Sequence, residues 1–184
     1  MLFRSSIRGF TRFGVGFGPT NASKLYVTDS IISNNGAGVL STDAGLIVQP
    51  FTDGAASVHI SRVRLTGNLN GIVAIGTTST AGLKIAMDDS LVSGNNTHGV
   101  VVDTSSAGST VNMTIAGTQV SGNFGSGLRA QSSTRAILRV GNSMITANAT
   151  GISTSLGGQV RSFGDNQVVG NSAGETFSGV DLVK

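Results

Sequence analysis

The residues of this chain best suited to chemistry are two adjacent carboxylates, Asp88 and Asp89, and a nearby histidine, His98. Paired carboxylates can act as general acid and base, and histidine transfers protons near neutral pH, so the three could form an acid–base cluster. A purely structural interpretation makes Asp88 a solvated residue, Asp89 part of a surface charge pattern and His98 a surface turn residue. We favour that interpretation and predict no catalytic residue.

Metal and cofactor sites have little support in the sequence. His59 has no second histidine or acidic cluster at metal-ligand spacing, and the chain contains no cysteine. The glycines of Gly14–Pro19 suggest a phosphate loop, but no strand–loop–helix context follows them. We therefore predict no metal and no cofactor. Because there is no cysteine, the redox state of the cellular compartment cannot be inferred from the sequence.

A modest positive charge is the one hint of an anionic partner. The net charge is +3, and the high isoelectric point reflects few acids rather than many bases. Four arginines of the C-terminal half could hold an acidic glycan or a phosphate backbone, or they could be scattered solubilising charges. They are Arg129, Arg135, Arg139 and Arg161. Because tryptophan is absent and Tyr26 is the single tyrosine, we predict no nucleic-acid partner and leave a polysaccharide open.

The composition favours strands and tight turns. Only 11% of the 184 residues are charged, 39% are apolar and 27 are glycine, which excludes a disordered chain and disfavours a helical bundle. No apolar run is long enough to span a membrane, so we predict no membrane partner. The segment Met1–Phe10 lacks the apolar stretch of a signal peptide.

One phrase recurs along the chain, as in Val120–Leu128: a small residue, an asparagine, a short gap, then glycine and an aliphatic residue. The anchor asparagines are Asn35, Asn68, Asn95, Asn123, Asn148 and Asn171, separated by 33, 27, 28, 25 and 23 residues. Three residues before them stand Ile32, Leu65, Val92, Val120, Ile145 and Val168. Eight before them stand Val27, Ile60, Met87, Ile115, Val140 and Phe163. Columns that are apolar in every repeat indicate a solenoid, with Phe10 at the anchor of a first coil.

Each repeat contains three short apolar segments, for example Ile85–Met87, Leu91–Ser93 and Val100–Val102, which are typical of strands. A bend must separate the first two, and the anchor asparagine lies at a second bend. There it could adopt the left-handed backbone region, and its amide could bond to the next coil as a ladder. The pattern predicts an all-β, single-stranded parallel β-helix of about seven coils with three short strands per coil.

The second coil allows two registers for its glycine–aliphatic pair. Gly38-Val39 matches the usual distance from the anchor, whereas Gly45-Leu46 keeps the following loop close in length to its neighbours. We prefer Gly45-Leu46, with an insertion within Gly36–Ala44.

A charge pattern competes with the catalytic interpretation of Asp89. The column six residues before the anchors is Arg4, Asp29, Arg62, Asp89, Gly117, Asn142 and Asp165. Its sign alternates over four coils, which predicts an exposed ion ladder in which each pair contributes about 0 to 1 kcal/mol.

The phrases "TDSIISNN", "DDSLVSGNNTHGV" and "GNSMITANATGI" resemble those of right-handed parallel β-helix repeat proteins of the pectate-lyase-like superfamily, particularly its uncharacterised bacterial branch. The resemblance covers about Leu2 to Asn171 and implies a right-handed coil and an extracellular or cell-surface location. Enzymes of this fold cleave acidic polysaccharides. Their hydrolases combine paired aspartates with Gly-His-Gly and Arg-Ile-Lys motifs. Here Thr97 precedes His98-Gly99, and the second motif is absent.

The two ends of the predicted β-helix differ. We expect one domain over residues 1–184, with coils from about 2 to 171 and a polar cap or tail over 172–184 that brings Glu175 together with Asp181 and Lys184. Phe3, Phe10, Phe13 and Phe17 crowd the first coil. Because open strand edges invite pairing, we expect this end to form a homodimer or end-to-end stack. Alternatively, a missing upstream region or a fold-back of Met1–Ser6 covers it.

Two classes of function fit these observations. The first is a non-catalytic structural or binding module, such as a fragment of a larger bacterial protein, that associates through its N-terminal end. The second is a carbohydrate-active enzyme, a polysaccharide lyase or hydrolase, or a degenerate relative of one. The scarcity of acids and of the enzyme motifs favours the first.

Overall fold

The chain forms a parallel β-solenoid. The computed structural model describes residues 1–38 and 40–181, and the regular structure within those residues is entirely β-strand. Each coil contributes one strand to each of three parallel sheets. Six coils contain all three strands and a seventh contains two. The predicted all-β fold with three short strands per coil is confirmed, with about six turns where about seven were expected.

The three sheets run the length of the solenoid. Sheet A contains, in spatial order, β1 (Leu2–Phe3), β4 (Ser23–Thr28), β7 (Ala56–Ser61), β10 (Leu83–Asp88), β13 (Val111–Ala116), β16 (Ala136–Gly141), β19 (Gln159–Ser162) and β21 (Gly179–Val180). Sheet B contains β2 (Ser6–Arg8), β5 (Ile31–Ser33), β8 (Arg64–Thr66), β11 (Leu91–Ser93), β14 (Gln119–Ser121), β17 (Met144–Thr146) and β20 (Gln167–Val169). Sheet C contains β3 (Phe13–Phe17), β6 (Ala44–Val48), β9 (Asn70–Ile75), β12 (Val100–Asp103), β15 (Ser126–Gln131) and β18 (Thr150–Thr154).

The lumen is filled by aliphatic side chains that stack in register from coil to coil. In sheet B the strands pair so that the residues three before the anchors form one column, and Ile32 to Ile145 in this column are buried. In sheet C, Leu46 pairs with Val15 on one side and Ile72 on the other. That pairing confirms the Gly45-Leu46 register and places the insertion at the corner between sheets B and C. Val39, part of the rejected alternative, lies outside the described residues.

The sheet A column matches the prediction except in the last coil. Leu2, Val27, Ile60, Met87, Ile115 and Val140 pair in register. Ser162, not Phe163, pairs with Val140, so the assignment of Phe163 to the lumen is wrong. The Phe163 ring lies against Gly141, a position without a side chain to exclude it. Gly164, with φ at 97°, absorbs the extra residue before the next strand.

An asparagine ladder runs along the corner between sheets B and C, as predicted. The Asn95 side-chain Nδ2 donates to Asn123 Oδ1 at 2.8 Å, and Asn123 Nδ2 donates to Asn148 Oδ1 at 2.7 Å. Each Oδ1 also accepts the backbone N–H of the asparagine one coil earlier, at 3.0 Å from Asn68 to Asn95. Each Nδ2 makes a further bond to a carbonyl of the preceding coil, as from Asn95 to Leu65. The amides are therefore satisfied inside a dry corner, which is the condition for burying them.

The left-handed backbone position at this corner is not the one predicted. The residue immediately before each anchor has positive φ, and the anchor itself does not. These residues are Gly9, Asn34, Gly67, Gly94, Gly122, Ala147 and Gly170. The anchors instead use their amides for the ladder, and their short-side-chain predecessors make the turn.

The glycine of the repeated phrase is needed for space. A Cβ at Gly99 would meet the Asn123 amide nitrogen at 2.9 Å and the Gly127 carbonyl at 2.7 Å. The equivalent positions Gly14, Gly45, Gly71, Gly127 and Gly151 are crowded by the next asparagine in the same way. Asparagine and glycine therefore recur together because the glycine makes room for the amide of the neighbouring coil.

A second polar ladder lies at the corner between sheets A and B. The Ser90 hydroxyl donates to the Asp88 carbonyl at 2.7 Å and accepts the Val63 N–H at 3.1 Å. Thr118 and Ser143 make the same two kinds of bond in the following coils. The bend at this corner was predicted from the repeat, but the ladder was not; its signal is the serine or threonine that stands five residues before most anchors.

Replacing Asn95 with alanine should destabilise the protein by about 2–4 kcal/mol, because the Asn68 amide, the Asn68 N–H and the Leu65 carbonyl would each lose a partner in a buried corner. Equilibrium urea unfolding measures this change in the free energy of unfolding. The control is Asn96→Ala, since the adjacent side chain is exposed. A cost for Asn95→Ala no larger than that of the control would contradict the ladder's role.

Candidate functional site

The outer face of sheet A carries the best-developed surface depression. Its outward residues form rows across the strands: Lys24, Ser57, Lys84 and Asn112 in one, and Tyr26, His59, Ala86 and Thr114 in the next. Two adjoining depressions of about 450 and 400 Å³ share Ser57, Lys84 and Asn112. We call this surface the sheet A groove and define it by Lys24, Tyr26, His59, Lys84 and Asn112.

Small residues at the corner before sheet A create the groove. Ala22, Ala55, Ala81 and Gly82 line its rim, and none of them has a side chain long enough to fill it. Lys24 on β4 and Lys84 on β10 are exposed on either side of Ser57 on β7. The groove is thus an open, positively charged channel across several coils, a shape suited to an extended ligand.

The residue of the groove best suited to proton transfer is His59. Its Nε2 lies 3.5 Å from Asp88 Oδ1, and the other oxygen of Asp88 accepts the Ser61 hydroxyl at 2.6 Å. The Tyr26 ring is tilted against the imidazole, with 6.4 Å between centroids. A carboxylate that orients an imidazole can support proton transfer. The prediction that Asp88 is a solvated neighbour is therefore incomplete, since Asp88 holds Ser61 and faces His59.

Asp89 does not join this group. It lies at the corner between sheets A and B with φ at 48°, in the outward column of alternating charge. Within the described residues, that column contains one ion pair, between Asp29 and Arg62, whose Nε–Oδ1 distance is 2.7 Å. The hydrogen bond from Arg62 lowers the pKa of Asp29. The predicted ion ladder over four coils is therefore wrong in length: the charges of Arg4 and Asp89 act on Asp29 and Arg62, but neither residue forms an ion pair in this column.

His98 lies on a different part of the surface, at the corner between sheets B and C. Its Nδ1 accepts the Ser126 N–H at 2.9 Å, and its Nε2 lies 2.9 Å from an Arg129 nitrogen. Burial first, and the Arg129 charge second, lower the pKa of His98 to about 4. The structure makes no contact between His98 and Asp88 or Asp89. His98 lies at a corner, as the predicted surface turn residue would, and the structure adds that it is half-buried and hydrogen-bonded to the next coil.

The four C-terminal arginines form no common patch. Arg129 faces His98 on sheet C, and Arg135 donates to the Gly108 carbonyl at 2.9 Å. Arg139 and Arg161 lie on sheet A and both bind Asp181, at 2.8 and 2.6 Å. This arrangement fits scattered structural charge better than a polyanion site.

The N-terminal end of the solenoid exposes the core. The inward residues of the first coil, Leu2, Ile7, Val15 and Phe17, pack on the core but are only partly buried, whereas Val27, Ile32, Leu46 and Val48 one coil later are fully buried. Phe3 and Phe10 stand beside them, about half exposed. Leu2–Phe3 and Ser6–Arg8 are strands of sheets A and B, so the alternative fold-back of Met1–Ser6 is wrong. Strands β1, β2 and β3 are the unpaired edges of their sheets.

The opposite end is covered in part by the chain itself, although β20 remains the edge of sheet B and Val168 is only partly buried. Glu175 accepts both the N–H and the side-chain amide of Asn171 and so terminates the ladder. Phe177 packs on the last coil of the core, and β21 pairs with the edge of sheet A. Hydrogen bonds from Arg161, and then from Arg139, hold the pKa of Asp181 below its ordinary value. Lys184, the third charged residue expected here, lies outside the described residues.

Comparison of the chain with family models, with curated proteins and with solved structures gives no match in any of the three. Among residues 1–38 and 40–181 there is no group of three or more His, Cys, Asp or Glu side chains placed to hold a metal ion. The described part of the chain also contains no helix long and apolar enough to cross a membrane.

The depressed pKa of His98 predicts a loss of stability in mild acid. The unfolded chain takes up this proton near pH 6.5 and the folded chain only near pH 4. The contribution is therefore complete above about pH 6.5 and decreases as the pH falls towards 4, by about 1–2 kcal/mol after allowance for solvent screening. Urea unfolding at several pH values measures the slope, and nuclear magnetic resonance of the imidazole measures the pKa. His98→Gln, which keeps an acceptor for Ser126, should remove this part of the slope. An imidazole that titrates near 6.5 would contradict the prediction.

Proposed function

We propose that this protein is a non-catalytic structural or binding β-helix module that associates with a second copy through its open N-terminal end. The three-sheet coil and the internal asparagine ladder support its place among right-handed parallel β-helix proteins of the pectate-lyase-like type. The observation that carries the self-association is the contrast between the first coil and the next: Val27, Ile32, Leu46 and Val48 are fully buried, whereas their neighbours Leu2, Ile7, Val15 and Phe17 at this end are only partly buried.

Two physical terms favour docking at this end. Covering Leu2, Ile7, Val15 and Phe17 removes apolar surface from water, at about 25 cal/mol for each Å². The free edges of β1, β2 and β3 also present backbone donors and acceptors that another strand edge can pair. The N-terminal end of a second copy presents the same exposed apolar side chains and the same unpaired strand edges. Each apolar surface can therefore cover the other, and each strand edge can pair with the other.

The test of self-association is Ile7→Lys, which places a charge in the open mouth. We expect it to weaken association at least about tenfold, because the ammonium group would be buried in an apolar interface. Sedimentation velocity over a wide range of protein concentration measures the association.

The matched control is Ile31→Lys. Ile31 is the same residue type on the next strand of the same sheet, but it points outward and is 44% exposed. It should leave association unchanged, and thermal unfolding should show both variants folded. Wild-type protein that stays monomeric at every concentration, or an equal effect of the two substitutions, would refute the proposal.

A second candidate function is recognition of an acidic polysaccharide in the sheet A groove. The observation that favours it is the placement of two exposed lysines, Lys24 and Lys84, beside Tyr26 and His59 in one open channel. Lysines two coils apart suit the repeated carboxylates of an extended uronate chain. Among the residues that the structure describes, Asp88 is the one carboxylate in contact with His59, whereas a glycoside hydrolase uses a pair of acids.

We expect pectate or alginate to bind in the groove without being cleaved. Affinity electrophoresis in gels containing either polymer should show retardation that Lys84→Gln reduces and Arg64→Gln, an equal charge loss on sheet B, does not. Ultraviolet absorbance of unsaturated uronate ends tests for cleavage. Unsaturated products that the wild type forms and His59→Gln does not would instead support a lyase. Equal retardation of Lys84→Gln and Arg64→Gln would exclude the groove as the polysaccharide-binding site.

A further inference from the structure

We infer that Arg129 and His98 form a binding site for a single carboxylate group on the outer face of sheet C. The site is separate from the sheet A groove and from the N-terminal end, and it depends on neither proposal above. It follows from the hydrogen-bond donors of the two side chains, which lie together without an acceptor between them.

The His98 imidazole faces a hydrogen-bond donor at each of its two ring nitrogens. Nδ1 lies 2.9 Å from the Ser126 backbone nitrogen, and Nε2 lies 2.9 Å from Nη1 of Arg129. Burial first, and the Arg129 charge second, lower the pKa of His98 to about 4, so at neutral pH the ring is uncharged and carries one proton. An uncharged imidazole accepts at one nitrogen and donates from the other. One of the two contacts therefore brings two donors together.

The Ser126 contact decides which nitrogen carries the proton. The Ser126 N–H is held in place by strand β15, whereas the long Arg129 side chain can turn. Nδ1 therefore accepts from Ser126, and the proton lies on Nε2. Because a guanidinium group has only donors, the Nε2–H group and Arg129 cannot bond to each other. They lie side by side as two donors that a third group could bridge.

Arg129 has no acidic partner. Within residues 1–38 and 40–181 its one polar contact is with His98, and its buried Nε atom has no hydrogen-bond partner. Asp103, two residues beyond Val101 on β12, accepts from Gln131 at 2.9 Å instead. Four other arginines each bind an aspartate, namely Arg12, Arg62, Arg139 and Arg161. Buried donors without a partner are rare, so Arg129 is the arginine of the described chain whose surroundings call for an acceptor from a ligand.

The charge of the site favours a carboxylate over a doubly charged anion. Arg129 contributes one positive charge and the uncharged imidazole contributes none, so a monoanion is matched. A phosphate monoester carries about −1.5 to −2 at neutral pH and would stay partly uncompensated. The two oxygens of a carboxylate can accept from the guanidinium group and from Nε2–H, and the ionic charges strengthen such hydrogen bonds.

An exposed aromatic side chain stands next to the site along the chain. Phe124 is 76% exposed, more than any other phenylalanine, and directly precedes Gly125. Gly125 lies against the imidazole, since a Cβ at this position would be 2.8 Å from Nδ1 of His98. A ligand that joins a carboxylate to a ring can therefore place its ring on Phe124 while its carboxylate reaches Arg129. We expect the ligand to be a ring-bearing organic acid.

Benzoate is the probe for this site, and benzamide is its neutral counterpart with the same ring. Nuclear magnetic resonance titration of the wild-type protein should show saturable shifts of the His98 imidazole and the Ser126 amide, with a dissociation constant on the order of 1 mM. Benzamide, which has no charge, and acetate, which has no ring, should each bind several-fold more weakly. Sodium chloride keeps the ionic strength constant, because salt screens surface charges.

Variants assign the binding to Arg129. Arg129→Gln should weaken benzoate binding at least about tenfold, and Arg129→Lys several-fold, because an ammonium group lacks the planar fork of guanidinium. Arg64→Gln, an equal loss of charge on sheet B, should bind as the wild type does. Phe124→Ser should weaken benzoate binding and leave acetate binding unchanged. Thermal unfolding checks that every variant is folded.

A stability measurement separates a binding role from a structural one. Arg129→Met keeps an apolar stem and removes the unpaired donors, so without benzoate it should unfold at the same temperature as the wild type or higher. Benzoate should raise the unfolding temperature of the wild type and leave that of Arg129→Met unchanged. A clearly lower unfolding temperature for Arg129→Met would show that the Arg129–His98 contact is stabilising, and would overturn the inference.

The binding experiment can also overturn it. Shifts that never saturate, or binding that falls equally in Arg129→Gln and Arg64→Gln, would mean that water alone satisfies these donors. Equal binding of benzoate and benzamide would exclude a site for a charged group, and tighter binding of inorganic phosphate than of benzoate would refute the assignment to a carboxylate. None of these results bears on self-association or on the sheet A groove.

Discussion

The structure depends on one constraint: every asparagine amide at the corner between sheets B and C must find its partners in the coil above and the coil below. Asn123 accepts from Asn95 and donates to Asn148, while its backbone N–H bonds to that same next amide. An unpaired amide in this dry corner would cost far more than a surface hydrogen bond contributes. The ladder therefore fixes the register of each coil on the next. The glycines beside it are required because a side chain at those positions would clash with the asparagine amides.

With the register fixed at one corner, the rest of each coil can vary. The lumen columns accept Val, Leu, Ile or Met at the same level, because neighbouring coils repack around similar volumes. Insertions collect at corners, as within Gly36–Ala44, where extra residues do not disturb a strand. The last coil shows the same tolerance: one extra residue at Phe163 and Gly164 follows the sheet A strand and leaves both the strand register and the ladder at Asn171 intact.

Function in such a fold is confined to outward side chains and to the ends. The sheet A groove is open, and His59 within it contacts Asp88. The ends differ more strongly. Val160 is buried beneath its own chain, whereas Leu2 and Val15 at the other end are only partly buried.

The sequence by itself determined the fold class, the strand columns and the asparagine ladder. A solenoid repeats one local environment at nearly constant spacing, so the same residue pattern can be recognised separately in each coil. It also distinguished Gly45-Leu46 from Gly38-Val39, since loop length is local. The tertiary structure alone decided where outward groups meet. His59 reaches Asp88 because strands 27 residues apart happen to align, and His98 is half-buried because Arg129 and Ser126 fold over it from the next coil. Such contacts depend on rotamers and corner geometry, which no periodicity encodes, so the sequence named His98 and Asp88 together while the fold separates them.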